Sequence, residues 1–166
     1  MAYDTTDRSA FPMADDAAGD GTVTLNTLIG TLIDSIEGYQ KAAADTTNTR
    51  FAEMFNARAR ERQQVLTRLQ AAVARLGGNP EDDGSFLGKT HQRFLDLKAA
   101  VTGRDEKAIV NEVERGEDYL KEKFEAALNS DQLSGECRTV VERAHQSVLA
   151  GHDKMSALKH GMEATD

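Results

Sequence analysis

Five carboxylate and imidazole side chains with helix-compatible spacing carry the most chemical information in this sequence of 166 residues. A glutamate and a histidine three residues apart lie on one face of a helix, so both can reach the same metal ion. Glu142 and His145 have this spacing, whereas Glu61 is followed three residues later by Gln64. With single glutamates from two further helices, such pairs build the two-metal centres of four-helix bundles. The predicted metal ligands are Glu37, Glu61, Glu117, Glu142 and His145.

The neighbour of one predicted ligand offers a different interpretation of the same site. Carboxylate and imidazole ligands suit iron or manganese, and such a centre would support redox or storage-type chemistry. At about 100° per residue, however, Arg62 lies nearer the middle of its apolar stripe than Glu61 does. An inward-facing Arg62 would pair with Glu117 or Glu37 and leave a polar core without metal. We therefore expect iron or manganese only if Arg62 does not occupy the core.

The remaining histidines allow a second, smaller arrangement. His145 and His152 are seven residues apart and therefore share a helix face, and with His91 and Glu117 they could form a single-metal site. The simpler interpretation is that each histidine hydrogen-bonds to a neighbouring helix. No substrate is indicated by the sequence, and whether the chain is an enzyme stays open.

The composition predicts the long helices that must position these side chains. The chain has 39% hydrophobic residues and 2 prolines, with few β-branched runs, which favours helices over an all-β or parallel α/β fold. Apolar residues recur at three- and four-residue steps from Thr22 onward. The predicted helix caps are Asn48 or Thr49, Ser85, Asp105 and Ser134, and Gly77-Gly78 and Gly103 are the predicted stops.

These signals define four long helices and one shorter helix between the second and third, ending at about Lys159. Stripes of this length bury best in a bundle. The predicted fold is an all-α, antiparallel four-helix bundle with a long helical crossover between helices two and three. The predicted organisation is a disordered acidic tail (1–21), the bundle (22–160) and a short C-terminal tail (161–166).

The two predicted hairpins resemble each other in sequence. Glu37 and Tyr39 in helix one match Glu117 and Tyr119 in helix three at an offset of 80 residues, and a Glu-Arg pair recurs in helices two and four at an offset of 81. Such a repeat predicts a pseudo-symmetric pair of helical hairpins. Both tyrosines are predicted to lie in the core, with each hydroxyl bonded to a facing glutamate.

Several short motifs together resemble a bacterial family of unknown function within the ferritin-like superfamily. The likeness covers about residues 24–160 and rests on Glu37 with Tyr39, Glu61-Arg62, the Gly77-Gly78-Asn79-Pro80 loop, Gly84-Ser85, His91 and Glu114-Arg115-Gly116-Glu117. The resemblance implies a ferritin-like fold, a di-iron or di-manganese carboxylate site with redox or oxygen chemistry, and an association of some relatives with stress. Gln64 and Arg62 depart from the ligand pattern of the superfamily.

Charge and cysteine content narrow the partners and the compartment. The net charge of −8 disfavours nucleic acid, whose binding depends on Lys and Arg meeting phosphates. No apolar run predicts a membrane span or a signal peptide, and the single cysteine, Cys137, fits a reducing cytoplasm. A homodimer is expected because long bundles often leave an apolar flank on one hairpin. The alternative function is a metal-free, stress-associated bundle that acts through self-association or a protein partner.

Overall fold

The computed structural model describes residues 4–82, 106–133 and 135–164, with side chains described for residues 21–82, 106–133 and 135–162. Within these ranges the chain forms four helices and no strand: α1 (Asp4–Asp45), α2 (Thr49–Arg75), α3 (Glu106–Leu128) and α4 (Gly135–Ala164). The predicted all-α bundle is thus confirmed. Among the described helices, none combines the length and the apolarity that a bilayer span requires.

The ends of α2 follow the local sequence signals closely. The side chain of Asn48 accepts a hydrogen bond from the backbone N–H of Phe51, which satisfies a donor that the first turn leaves unpaired. After Arg75 the chain turns through Gly77, whose φ of 84° lies in the left-handed region that favours glycine. The predicted caps Ser85, Asp105 and Ser134, and the predicted stop at Gly103, lie outside the described residues.

Two helices are longer than the sequence predicted. The helix α1 begins at Asp4 rather than near Thr22, and the disorder predicted for residues 1–21 stays a prediction because side chains before residue 21 are not described. At the other end of the chain, α4 continues past Lys159 to Ala164. Leu158 and Met162 pack against the core, which extends the apolar stripe of α4 by a further turn.

Contacts between helices fix their relative directions. Thr46 near the end of α1 bonds to Glu106 at the start of α3, and Tyr39 bonds to Glu117 further along α3. These two helices are therefore antiparallel. In the same way, Arg62 of α2 meets Ser147 of α4 while Arg75 meets Glu136, so α2 and α4 are also antiparallel. Short connections make α1–α2 and α3–α4 antiparallel hairpins, and α2 and α3 consequently point in the same direction.

The parallel directions of α2 and α3 require a connection that runs the length of the bundle. Beyond the end of α2, Glu81 donates its backbone N–H to the side chain of Asn26, near one end of the bundle. The start of α3 lies at the opposite end, where Glu106 accepts a hydrogen bond from the backbone N–H of Thr47. The two ends of the connection thus lie at opposite ends of the bundle, as the predicted end-to-end crossover requires, and the connectivity is compatible with a ferritin-like arrangement. The predicted crossover helix itself lies outside the described residues.

The core consists almost entirely of the apolar stripes that the sequence predicted. Each stripe turns inward because apolar burial stabilises the fold by roughly 25 cal/mol per Å². Representative fully buried members are Leu25, Ile29 and Leu32 of α1, Phe55 and Leu69 of α2, Ile109 and Phe124 of α3, and Val141 and Met155 of α4. Among the side chains that the structure describes, four polar ones are buried: Asp34, Arg58, Arg62 and Glu117. Three of these four form the site described next.

Candidate functional site

Only one of the five predicted metal ligands lies in the core. Glu117 has a relative exposure of 1%. Glu37 and Glu142 are exposed, and Glu61 and His145 are half-buried. Within residues 21–82, 106–133 and 135–162, no three His, Cys, Asp or Glu side chains gather as a metal site would require. The structure therefore does not bring the predicted ligands together.

Arg62, rather than Glu61, is the inward-facing residue of α2. Its side chain is completely buried and is the largest of the fully buried side chains described. The guanidinium Nη2 lies 2.5 Å from Oε2 of Glu117 on α3, and Nη1 donates to the backbone oxygen of Ser147 on α4 at 3.2 Å. Helical geometry explains this orientation, because Ala59 and Leu66, three residues before and four after Arg62, lie on the buried face.

Tyr39 of α1 forms a hydrogen bond with the other carboxylate oxygen of Glu117. Its hydroxyl donates to Oε1 of Glu117 at 2.8 Å, as the sequence predicted for this tyrosine. Burial raises the pKa of Tyr39 well above its ordinary value, and the negative charge of Glu117 adds to this rise, so the phenol stays a hydrogen-bond donor. Both oxygens of Glu117 are thus engaged, and the network joins all four helices.

A glycine in α4 makes room for the guanidinium. A Cβ built on Gly151 would lie 2.5 Å from Nη2 of Arg62 and 3.2 Å from its Cζ, which no side chain could tolerate without movement of the arginine. Sequence reasoning missed this contact. The available signal was an unexplained glycine in the middle of a long helix, where glycine costs about 1 kcal/mol relative to alanine.

A second arginine lies one turn before Arg62. Arg58 is also buried, with a relative exposure of 4%, and its Nη2 bonds to the half-buried carboxylate of Glu61. Among the described residues, its Nε and Nη1 have no hydrogen-bond acceptor. Each of the two buried guanidinium groups thus bonds to a carboxylate, Arg58 to Glu61 and Arg62 to Glu117. A divalent cation at Glu117 would have to displace the guanidinium of Arg62.

Two of the three histidines of α4, His145 and His152, pair with carboxylates of α3. His152 Nε2 lies 2.6 Å from Asp118, and His145 Nε2 lies 3.4 Å from Glu125. Since both pairs are spaced by seven residues, they follow the same seam between the two helices. This agrees with the simpler prediction that these histidines bond to a neighbouring helix, while His91 lies outside the described residues.

The predicted symmetry between the hairpins fails at the polar positions. Tyr119 is half-buried rather than in the core, and the ammonium of Lys123 lies 5.3 Å from its ring centroid. Tyr39 and Glu117 are buried, whereas their repeat counterparts Tyr119 and Glu37 are not. Residues two apart lie about 200° apart on a helix, so each helix can turn only one of its two polar residues inward.

Comparison with known protein families identifies one family whose model matches this chain. The model of the family described as Domain of unknown function (DUF2383) matches residues 21–130. The chain belongs to this family. The DUF2383 match covers α1 from Gly21 onward and all of α2 and α3, and it contains Tyr39, Arg58, Arg62 and Glu117. Ser147 and Gly151, the partners from α4, follow the matched range. The search among curated proteins found no match.

Proposed function

We propose that this chain is a metal-independent four-helix bundle that acts by associating with itself. The observation that supports this proposal is the burial of Arg62 against Glu117. A metal centre would need the carboxylate oxygens of Glu117 as ligands, but one already accepts from a guanidinium and the other from the hydroxyl of Tyr39. A cation in the centre of the bundle replaces the positive charge that a metal would supply.

The positions of the other predicted metal ligands also support a metal-independent bundle. Glu37 and Glu142, which would complete a two-metal centre, are exposed, and Glu61 bonds to Arg58. Two buried guanidinium groups would raise the electrostatic cost of bringing a divalent cation to the site. The residues present therefore do not fit the iron or manganese centre that the ferritin-like resemblance implies.

The buried network has a structural task in this proposal. Arg62 on α2 bonds to α3 and α4 at once, and Tyr39 adds α1. Because a buried ion pair is satisfied only in one alignment of the helices, it selects a register that apolar packing alone would leave degenerate. The network thus gives the bundle one defined surface, which association requires.

The finer parts of the assignment belong to the same proposal. We infer a ferritin-like arrangement that has kept the bundle without the metal chemistry, a location in the cytoplasm, a role linked to stress, and a homodimer as the working form. The long end-to-end connection between α2 and α3 supports the first of these inferences.

The test is a metal titration combined with a measurement of mass. Protein purified without chelator is incubated anaerobically with iron(II) or manganese(II), desalted and analysed for bound metal, and its mass is measured by light scattering. We expect less than about 0.1 metal ion per chain, a melting temperature that a chelator leaves unchanged, and a dimer at micromolar concentration. Nearly stoichiometric metal that disappears in Glu117→Ala would refute the proposal, as would a monomer at all concentrations.

A further inference from the structure

We propose that the outer face of α2 binds the acidic N-terminal segment, residues 1–20, of a second copy of the chain. This inference rests on the self-association proposed above and names the two surfaces that would meet. Charge is unevenly distributed along the chain, because α2 contains six arginines and two glutamates and so carries a net charge of +4 in a chain of −8.

The six arginines fall into two groups on opposite sides of the helix. At about 100° per residue, Arg58 and Arg62 point to the core, and the other four lie within a sector of about 80° on the far side. The outer group, called here the arginine face, consists of Arg50, Arg60, Arg68 and Arg75. All four of these side chains are exposed.

The arginine face is only partly neutralised by the rest of the molecule. Arg75 pairs with Glu136 of α4, whereas Arg50, Arg60 and Arg68 meet no carboxylate among the described residues. The one acidic residue in the same sector is Glu53, which leaves the face with a net charge of +3. Beyond Glu61, α2 contains no acidic residue at all.

The chain itself contains a segment of complementary charge. Residues 1–20 include five aspartates and one arginine and have a net charge of −4. From residue 4 to residue 20, the helical backbone of α1 extends for about 24 Å at 1.5 Å per residue. By the same measure Arg60 and Arg75 are about 22 Å apart along α2, so the segment is long enough to cover three of the four arginines of the face.

Because α1 is a continuous helix, its acidic segment would reach the arginine face of a second molecule rather than its own. Because α1 is one helix from Asp4 to Asp45, residues 4–20 continue its axis past Gly21. Gly21 lies level with the end of α2, since Thr22 contacts Gly78. The segment therefore leads away from the α2 of its own molecule and toward a partner. Two copies that exchange these segments reciprocally form a closed twofold dimer.

Such an interface depends strongly on ionic strength. Exposed ion pairs contribute about 0–1 kcal/mol each, and salt screens them over about 10 Å at 0.1 M but about 3 Å at 1 M. Guanidinium groups suit this contact because their paired N–H donors match carboxylates. We expect a dimer at low salt that dissociates as the salt concentration rises.

The first test reverses the charge of the arginine face in the full-length chain. Arg60→Glu combined with Arg68→Glu is compared with Arg115→Glu combined with Arg143→Glu, which changes the net charge equally at exposed positions of α3 and α4. Sedimentation equilibrium in 50 mM salt gives the dimer dissociation constant, and circular dichroism checks folding. We expect at least a tenfold increase for the first variant and less than a threefold increase for the control.

The second test identifies the occupant. A full-length variant with all five aspartates of residues 1–20 replaced by asparagine should lose association to the same extent. When it is mixed with the Arg60→Glu, Arg68→Glu chain, one partner supplies the arginine face and the other the acidic segment, so a heterodimer should form although neither variant dimerises alone.

Three outcomes would overturn the inference. They are an unchanged dimer in the arginine variant, an equal loss in the control variant, and a segment that docks on α2 within a monomer, as intramolecular energy transfer would reveal. The first two leave the proposed metal-independent self-association intact, because the protein would still dimerise through another surface. Metal binding or a monomeric unmodified chain would instead contradict the proposed function itself.

Discussion

Arg62 and Glu117 lie 55 residues apart in the sequence, yet their side chains meet at 2.5 Å in the centre of the bundle, where each is almost completely buried. The pair joins the first hairpin to the second, and Tyr39 and Ser147 extend the contact to the remaining helices. Desolvation of two charges costs several kcal/mol per ion, which only close geometry and additional hydrogen bonds can offset. The consequences of this burial are measurable.

Removal of one partner should destabilise the protein more than removal of both. Arg62→Met leaves the buried carboxylate of Glu117 without its partner, and Glu117→Leu leaves the buried guanidinium of Arg62 without its partner. Each substitution should lower the free energy of unfolding by about 3–5 kcal/mol. The double variant leaves no unpaired charge and should recover most of this loss. Urea denaturation of the four proteins gives the coupling energy. Additive losses would show that the two groups do not depend on each other.

Gly151→Ala should destabilise the protein, although alanine is the better helix former. The added Cβ would lie 2.5 Å from Nη2 of Arg62 and displace the guanidinium from its partners. The matched control is Gly116→Ala in α3, where a Cβ meets nothing within 4 Å and a gain of up to about 1 kcal/mol is expected. In an Arg62→Met background the penalty at Gly151 should largely disappear, and thermal denaturation measures each change. A penalty that persists there would contradict the assigned contact.

Tyr39 should remain protonated at pH values where exposed tyrosines ionise. Burial raises its pKa first, and the charge of Glu117 raises it further. A folded-state pKa above the unfolded value of about 10 contributes stability that is present below pH 10 and lost as the pH rises through the folded value. The difference in absorbance at 295 nm between the unmodified protein and Tyr39→Phe should show this phenol ionising only well above pH 10. Tyr39→Phe, which removes the hydrogen bond, should cost about 1–2 kcal/mol near neutral pH and should remove this part of the alkaline loss.

His152 should make the α3–α4 hairpin weaker as the pH rises. Burial lowers the pKa of His152, and the charge of Lys121 lowers it slightly further. Hydrogen bonds to Asp118 and Asp153, together with the negative charge of Asp118, outweigh both effects, so the pKa of His152 lies above its ordinary value. The stability from a raised pKa is complete below the unfolded value of about 6.5 and is lost as the pH rises through the folded value.

The measurement for His152 is urea denaturation from pH 5 to pH 9. His152→Gln should flatten the profile by abolishing the loss above pH 6.5. His160→Gln, at an exposed position near the end of α4, is the control and should retain the full slope. Parallel profiles for the unmodified protein and His152→Gln would show that the contact with Asp118 does not raise the pKa of His152 in the folded protein.

The sequence repeat predicts equivalent positions for the Glu-Arg pairs of helices two and four, but it does not predict which arginine is buried. The Glu-Arg pair of helix two recurs in helix four, yet Arg62 is fully buried and its counterpart Arg143 is exposed. Both helices present apolar stripes, but the stripe of α4 follows Ala144 and Val148 and thereby turns Arg143 outward. A rotation of one residue, about 100°, separates a core cation from a surface cation.

By itself, the sequence determined the elements of this protein. Periodic apolar residues, the cap at Asn48 and the stop at Gly77 are local signals, because each acts within one or two turns of the chain. They were sufficient to predict four long helices, two antiparallel hairpins and an end-to-end crossover. They also identified the competition between Glu61 and Arg62 for the inward position.

Only the tertiary structure decided that competition. Which residue of α2 faces inward depends on the packing of three neighbouring helices, and on the space that Gly151 leaves for a guanidinium. Glu117 became the buried partner because its helix turns Tyr119 partly outward, while α1 turns Tyr39 inward and Glu37 to solvent. Rotation of a helix about its axis is determined by contacts between residues far apart in the sequence, and these contacts exist only once the bundle has formed.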